Sequence, residues 1–290
     1  CGWHRLYGRA GRRKILSGEG TRRSTRTDRC FTLTSNPKLQ TSNLKLRTPN
    51  RMKLDILVLA AHPDDAEISC AGTIARHVAM GHKVGIVDFT KGELGTRGTV
   101  EIRAAEAAEA AKILGISLRE NLGLRDGFFQ NDPTHQLAVI RAIRKYQPSI
   151  VLANAVYDRH IDHGRGASLG YDASFLSGLV RIETVDDDGK KQAPWRPSVV
   201  YHYIQSLYIE PDFIVDVSDY WNIKIEALKA FKSQFYDPAS SEAETYISSP
   251  GFVKMIEARA MDWGYAIGSK YGEGFTTRRY PGVNSLFDLR

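Results

Sequence analysis

Cysteine is scarce in this sequence: three residues, Cys1, Cys30 and Cys70, none in a CxxC or paired spacing. No disulfide framework or cysteine-built metal cluster can be read from them, which favours a reducing compartment and makes the cytoplasm the expected location. Long apolar runs are missing too. The longest, such as Ile56 to Ala61, fall far short of the roughly 20 residues that cross a bilayer, so no membrane partner is expected. Acidic residues are nearly absent from the first 51 positions, which hold 13 Lys+Arg against 2 Asp+Glu, leaving 27 against 31 for residues 52–290. The net charge of +7 therefore belongs to the leading segment. For the folded part, a nucleic-acid partner is not expected.

That segment, residues 1–51, is rich in Arg, Ser and Thr and has no sustained helical or strand period. It cannot bury enough apolar surface to offset its ordering entropy, and a disordered basic extension is expected. Upstream or leader sequence, an organelle-targeting peptide and a nucleic-acid-binding arm all remain open for it. Met52 stands immediately before the first strand, and one domain is expected over residues 52–290.

From Met52 onward, strand and helix patterns alternate. Asp55 to Ala61 is an apolar run of strand length; Gly72 to Met80 follows as a helix closed by Gly81. Lys83 to Thr90 returns as a strand, Glu101 to Leu114 as an alanine-rich helix stopped by Gly115, and Glu120 to Leu124 as a short strand. A third helix spans Gln136 to Tyr146, and Ser149 to Ala155 is another buried strand. This order predicts an α/β fold with a largely parallel sheet and helices on both faces. Beyond it, Ser198 to Ile204 and Phe213 to Val217 are strand-like, Tyr220 to Phe235 and Phe252 to Ile267 helical, and Asp186 to Pro197 a surface loop.

Two polar clusters fall at strand ends, where open parallel sheets bind ligands. The turn after the first strand lacks Gly-x-Gly-x-x-Gly and holds His62-Pro63-Asp64-Asp65 instead, which argues against a dinucleotide site. The second cluster, Arg159-His160-Ile161-Asp162-His163, follows the strand ending near Ala155. One imidazole and one carboxylate from the first turn, with His163 as third ligand, suit a catalytic Zn²⁺ that keeps an open position. Asp64, held beside the metal, is then the base that takes a proton from the attacking water. His160, oriented and kept charged by Asp162, suits the oxyanion and the leaving amine. The plainer alternative, that Asp64 or Asp65 caps the following helix, stands beside this.

Ala61 to Glu67, Gly72-Thr73 and Arg159 to His163 resemble the paired motifs of the PIG-L/LmbE family, zinc enzymes that N-deacetylate glucosamine derivatives. The similarity continues through Lys91 to Thr99, Glu101 to Arg103, Asn121 to Gly123, Asp126 to Phe129 and Tyr271 to Phe275, across residues 53–280. Within the family, it is nearest to the deacetylases of bacillithiol biosynthesis. The resemblance implies a Rossmann-like fold, metal ligands His62, Asp65 and His163, and catalytic Asp64, His160 and Asp162. It further implies hydrolysis of N-acetylglucosaminyl malate, an amino-sugar conjugate, and a homo-oligomer. Fe²⁺ is the alternative metal for a His₂Asp site. Arg103 and Asp126 correspond to positions that contact the sugar or its aglycone, and Arg97 is a second guanidinium for a carboxylate. The second motif carries Ile161 where the family usually has Pro. Tyr271 and Glu273 are weaker pocket candidates. Another amide of the same general kind, in a chito-oligosaccharide or a thiol conjugate, remains an alternative substrate.

Overall fold

The computed structural model describes residues 52–235 and 239–289; the expected basic extension, 1–51, lies outside the described residues. Strand β1 (Ile56–Ala60) is buried at every position, as a central strand covered on both faces must be. Its side chains alternate between two cores: Ile56 and Val58 enter one, Leu57 and Leu59 the other. β1 is flanked by β2 (Val84–Thr90) on one side and β4 (Ile150–Ala153) on the other, both parallel to it. β3 (Leu118–Leu124) and β5 (Val199–Tyr203) extend the parallel sheet outward. β7 (Gly272–Thr277) then pairs antiparallel with β5, and β6 (Phe213–Asp216) with β7, giving the order β3-β2-β1-β4-β5-β7-β6.

Helices cover both faces, as the alternating pattern predicts. α1 (Asp65–Ala79), α2 (Val100–Leu114), α5 (Trp221–Lys229) and α6 (Phe252–Ala266) share the first core. α3 (Pro133–Tyr146) and α4 (Ile161–Leu176) share the second. The stops follow local chemistry: Thr99 caps α2 through Ile102 N, and Gly115 ends it at φ 67, a conformation that favours glycine. Asp132 caps α3 ahead of Pro133. Chain order reverses between β1 and β4, so both polar clusters lie at the crevice outside the carboxyl ends of these strands.

The structure departs from the sequence pattern at four elements. α1 starts at Asp65 rather than near Gly72, but Cys70, at φ −135 and ψ 20, breaks it into two pieces, and the pattern catches only the second. The predicted helix over Tyr220 to Phe235 stops at Lys229. β7 and α4 have no counterpart in the pattern because glycine dilutes both. Those glycines are packing requirements: a Cβ on Gly170 would stand 3.1 Å from Leu59 Cδ1, and one on Gly272 2.6 Å from Ile214 Cγ2.

Candidate active site

Past the end of β1 the chain turns through His62-Pro63-Asp64-Asp65 into α1. Asp64 is held at φ 130 and ψ −22, where a residue other than glycine costs about 1–3 kcal/mol. The restraint comes from α2. Arg103 donates through Nη2 to Asp64 Oδ2 (2.9 Å) and Pro63 O (3.1 Å), and through Nη1 to Gly92 O (3.2 Å). Gly92 itself is at φ 66, and a Cβ there would meet Nη1 at 2.1 Å, so glycine is what lets the guanidinium reach the turn. Burial pushes the Asp64 carboxyl up to about 6, with Arg103 pulling it down and Asp65 adding to the rise. Asp64 makes no side-chain capping bond to α1, so simple helix capping does not account for it.

Asp65 sits between two imidazoles. Its Oδ2 accepts from His62 N (3.0 Å) and Asn154 Nδ2 (3.0 Å), and its Oδ1 from Gln205 Nε2 (2.6 Å). His62 Nδ1 is 3.6 Å from Oδ2, and His163 Nε2 is 3.2 Å from Oδ1. Donor atoms sharing a tetrahedral Zn²⁺ at roughly 2.0–2.2 Å stand about 3.3–3.5 Å apart, so each histidine lies near ligand spacing from Asp65, on a different oxygen of that carboxylate. The charge fits as well. Asp64, Asp65, Asp126, Asp158 and Asp162 converge here, ion-paired among the described residues to Arg103, Arg165 and the site's histidines alone. Burial opposes a proton on His62 and on His163, yet the carboxylates around them hold both above the usual imidazole range, His163 at about 9. A divalent cation would neutralise the same excess. Two groups of possible ligand atoms lie within 4.8 Å of one another: His62, His160 and His163; and His62, Asp126 and Asp162.

The second cluster opens α4. His160 is its N-cap, with Nδ1 accepting from Asp162 N (3.3 Å). Ile161 is the first helical residue and exposed, a position that suits Pro but does not need it. The Asp162 carboxylate accepts from Gly127 N (2.7 Å) and Arg165 Nη1 (3.1 Å) and stands 3.5 Å from His62 Nε2. The expected pairing of this carboxylate with the His160 ring is therefore corrected: it fixes the helix start and faces His62 instead. Burial, then the charges of His62 and His163, lower the proton affinity of His160, with Asp65 and Asp162 pulling the other way. His163 donates through Nδ1 to Asp158 Oδ2 (2.6 Å).

The predicted substrate contacts all border one cleft of about 520 Å³, with His62, Asp64, Asp65, His160 and His163 in its wall. That size suits a small-molecule site, typically about 300–1,000 Å³. Their free valences are nevertheless used inside the protein. Arg103 braces Asp64; Arg97 donates to Ser240 Oγ (2.9 Å) and Glu242 Oε2 (3.4 Å); Asp126 accepts from Leu94 N (3.0 Å) and pairs with His62 Nε2 (3.0 Å). The exposed guanidinium in the cleft wall is that of Arg159, stacked on the Tyr246 ring at 4.4 Å. Glu273 lies elsewhere, on β7, where it accepts from Gly72 N and Thr73 N in the middle of α1, and Tyr271 hydrogen-bonds Glu257 Oε1. Asn154, Asp158 and Gln205 are site residues that the sequence pattern does not single out, and Arg159, part of the second motif, carries no role there. The signal exists for two of them, since Asn154 follows β4 directly and Gln205 comes two residues after β5, the carboxyl ends where this fold gathers its ligands.

Comparison with known proteins agrees with this geometry. The family model described as PIG-L, GlcNAc-PI de-N-acetylase, matches residues 57–174, a span that holds both clusters. The conserved protein TT1542 from Thermus thermophilus is 34% identical, with a TM-score of 0.71, over 80% of this chain and 98% of that one. The diacetylchitobiose deacetylase of Thermococcus kodakarensis is 27% identical over 83% of this chain and 88% of its own length. A Bacillus subtilis protein named probable N-acetyl-alpha-D-glucosaminyl L-malate deacetylase 2 is 27% identical over 63% of this chain and 84% of its own. With the parallel sheet, the strained aspartate turn and the His/Asp cluster in one cleft, the chain belongs to the PIG-L/LmbE family of deacetylases, hydrolases that act on amides.

Proposed function

We propose that this protein is a zinc-dependent N-deacetylase that hydrolyses the acetamide of N-acetylglucosaminyl malate to glucosaminyl malate and acetate. The observation that carries the reaction class is the pairing of Asp64 with Asp65. One carboxylate lies between two imidazoles, and its neighbour is locked by Arg103 in a strained turn on the same cleft. Bound to His62, Asp65 and His163, a zinc ion supplies Lewis acidity, lowering the pKa of a water and polarising the acetamide carbonyl; Fe²⁺ fits the same donors.

The remaining work falls to the chain. Asp64 accepts the water proton as the water oxygen bonds to the carbonyl carbon, and its carboxyl, raised towards neutrality, matches that task. The C–N bond then breaks, the nitrogen takes the proton held on Asp64 to leave as the amine, and the acyl fragment leaves as acetate. His160, with its ring 4.6 Å from that of His62 and 5.2 Å from that of His163, serves the developing oxyanion and the leaving nitrogen. Asp162 acts by positioning the start of α4. For the aglycone, Arg159 is the guanidinium on hand for a carboxylate, while Arg97 and Arg103 shape the wall.

Release of free amine from N-acetylglucosaminyl malate, N,N′-diacetylchitobiose and N-acetylglucosamine, with the zinc content of each preparation measured, tests this reading. Turnover of the malate conjugate is expected to dominate and to need metal. Arg159→Ala should raise KM for that substrate alone, and Asp64→Asn should cut kcat by about 10²–10⁴-fold with zinc retained. Equal turnover of all three substrates would remove the malate assignment. A second reading has the Thermococcus relative's coverage in its favour, and preference for the chitobiose would establish it.

A further inference from the structure

The geometry points to Asp126 and Asp158 as paired positioning residues that fix opposite tautomers of the two metal histidines, so that His62 binds through Nδ1 and His163 through Nε2. This rests on the ligand set proposed above. A neutral imidazole has one lone-pair nitrogen for a cation and one N–H that must find an acceptor, and the acceptor decides which nitrogen is which. For His163, Nδ1 is 2.6 Å from Asp158 Oδ2, and Nε2 is the nitrogen turned to Asp65. For His62 the roles are reversed: Nε2 is 3.0 Å from Asp126 Oδ1, and Nδ1 is the nitrogen near Asp65 Oδ2. The two rings thus present different nitrogens to one carboxylate.

Both acceptors are themselves anchored. The Asp158 side chain is fully buried and takes N–H groups of Ser206 (3.2 Å) and Leu207 (2.7 Å), on the loop after β5. Asp126 takes Leu94 N (3.0 Å) on the loop after β2, and its own N–H is held by Glu93 Oε1 (2.9 Å). Each ring orientation is therefore tied to a loop at the rim of the cleft. This gives Asp126 a different task from the sugar contact expected of it. The competing geometry is a metal on His62 Nε2 with Asp126 and Asp162 as direct ligands, since those three side chains also lie close enough. Against it, a metal there would leave out His163, whose Nε2 is turned to Asp65.

Protein carrying ¹⁵N-labelled histidine, loaded with one equivalent of Zn²⁺ and then of ¹¹³Cd²⁺, tests the assignment through long-range ¹H–¹⁵N spectra and metal–nitrogen couplings. His62 is expected as the Nε2–H form with Nδ1 coupled to the metal, and His163 as the Nδ1–H form with Nε2 coupled. Asp126→Ala and Asp158→Ala should each weaken Zn²⁺ binding by about 10–100-fold in chelator competition and mix the tautomers of one ring only. The Asn variants, which keep an acceptor oxygen, should recover part of the loss. Alanine variants with unchanged affinity and tautomers would overturn the inference while leaving the ligand set intact, whereas a metal coupled to His62 Nε2 and not to His163 would overturn both. Stoichiometric Zn²⁺ in both His62→Ala and His163→Ala would overturn the ligand set and this inference with it. Should the alanine variants not fold, the wild-type couplings decide alone.

Discussion

Two of the buried polar clusters among the described residues are built on opposite plans. At the inner break of α1, Glu273 accepts from Gly72 N, Thr73 N, Thr73 Oγ1 and Lys224 Nζ, and Lys224 also donates to Ile68 O. Every lone pair faces a donor, one charge cancels another, and both side chains are buried. At the carboxyl ends of β1 and β4, five carboxylates crowd three imidazoles, Asp64 is strained, and the carboxylates raise the proton affinity of the His62 and His163 rings. A buried charge cluster that closes on itself stabilises a bend in the chain; one left with surplus charge beside a cleft is built to take something in. The Gly72-Thr73 and Glu273 motifs belong to the first kind. Gly72 is required because a Cβ there would stand 2.7 Å from Val217 Cβ, and Thr73 because its hydroxyl meets Glu273.

The comparison breaks first, and hardest, at Lys224. Lys224→Met leaves the Glu273 carboxylate buried and without its cation, and chemical denaturation should show a loss of about 3–5 kcal/mol. Lys224→Met with Glu273→Gln should regain part of it. Turnover per folded molecule should be unchanged in both, and a large drop in kcat would make this cluster part of the active site after all. Arg103→Met is the matching cut in the cleft. It strands Asp64, but beside solvent and the metal site, so the stability loss should be smaller, about 1–3 kcal/mol. The damage should instead appear in kcat, by about 100-fold, because the base is no longer held in line. Arg103→Lys, with one donor point in place of a fork, should restore little. Equal stability losses for Lys224→Met and Arg103→Met would erase the distinction between the two clusters.

The two plans differ in how legible they are in sequence. The central strands could be read because β1, β2 and β4 are apolar over strand length and lie between recognisable helices. The ligand and base candidates could be read because His and Asp crowd two strand ends. Partners chosen by long-range packing could not. Nothing in Asp158 announces a bond to His163, and nothing in Arg103 announces that it turns inward to Asp64 rather than outward to substrate. β7 escaped for the same reason, since Gly272 and Gly274 have low strand propensity and owe their places to Ile214, Pro211 and Trp263 packed against them. Local pattern reports which groups are present; tertiary contact decides which of them remain free.

Strain offers a finer cut at the same difference. At φ 130, Asp64 pays for its placement in backbone energy, and glycine is the residue that relaxes there. Asp64→Gly should therefore be more stable than Asp64→Ala by about 1–2 kcal/mol, with both equally inactive, and identical unfolding midpoints would mean the turn relaxes once the carboxylate is gone. The smallest effect is expected at Ile161. Its backbone is helical and its side chain 62% exposed, so Ile161→Pro should stabilise the domain by about 0.4–1 kcal/mol, through a less flexible unfolded chain. Because His160 caps α4 whichever residue follows it, kcat should not move with that gain. A fall in kcat would instead tie the stiffness of this turn to the reach of His160, and would make the Ile at this position a functional departure rather than a neutral one.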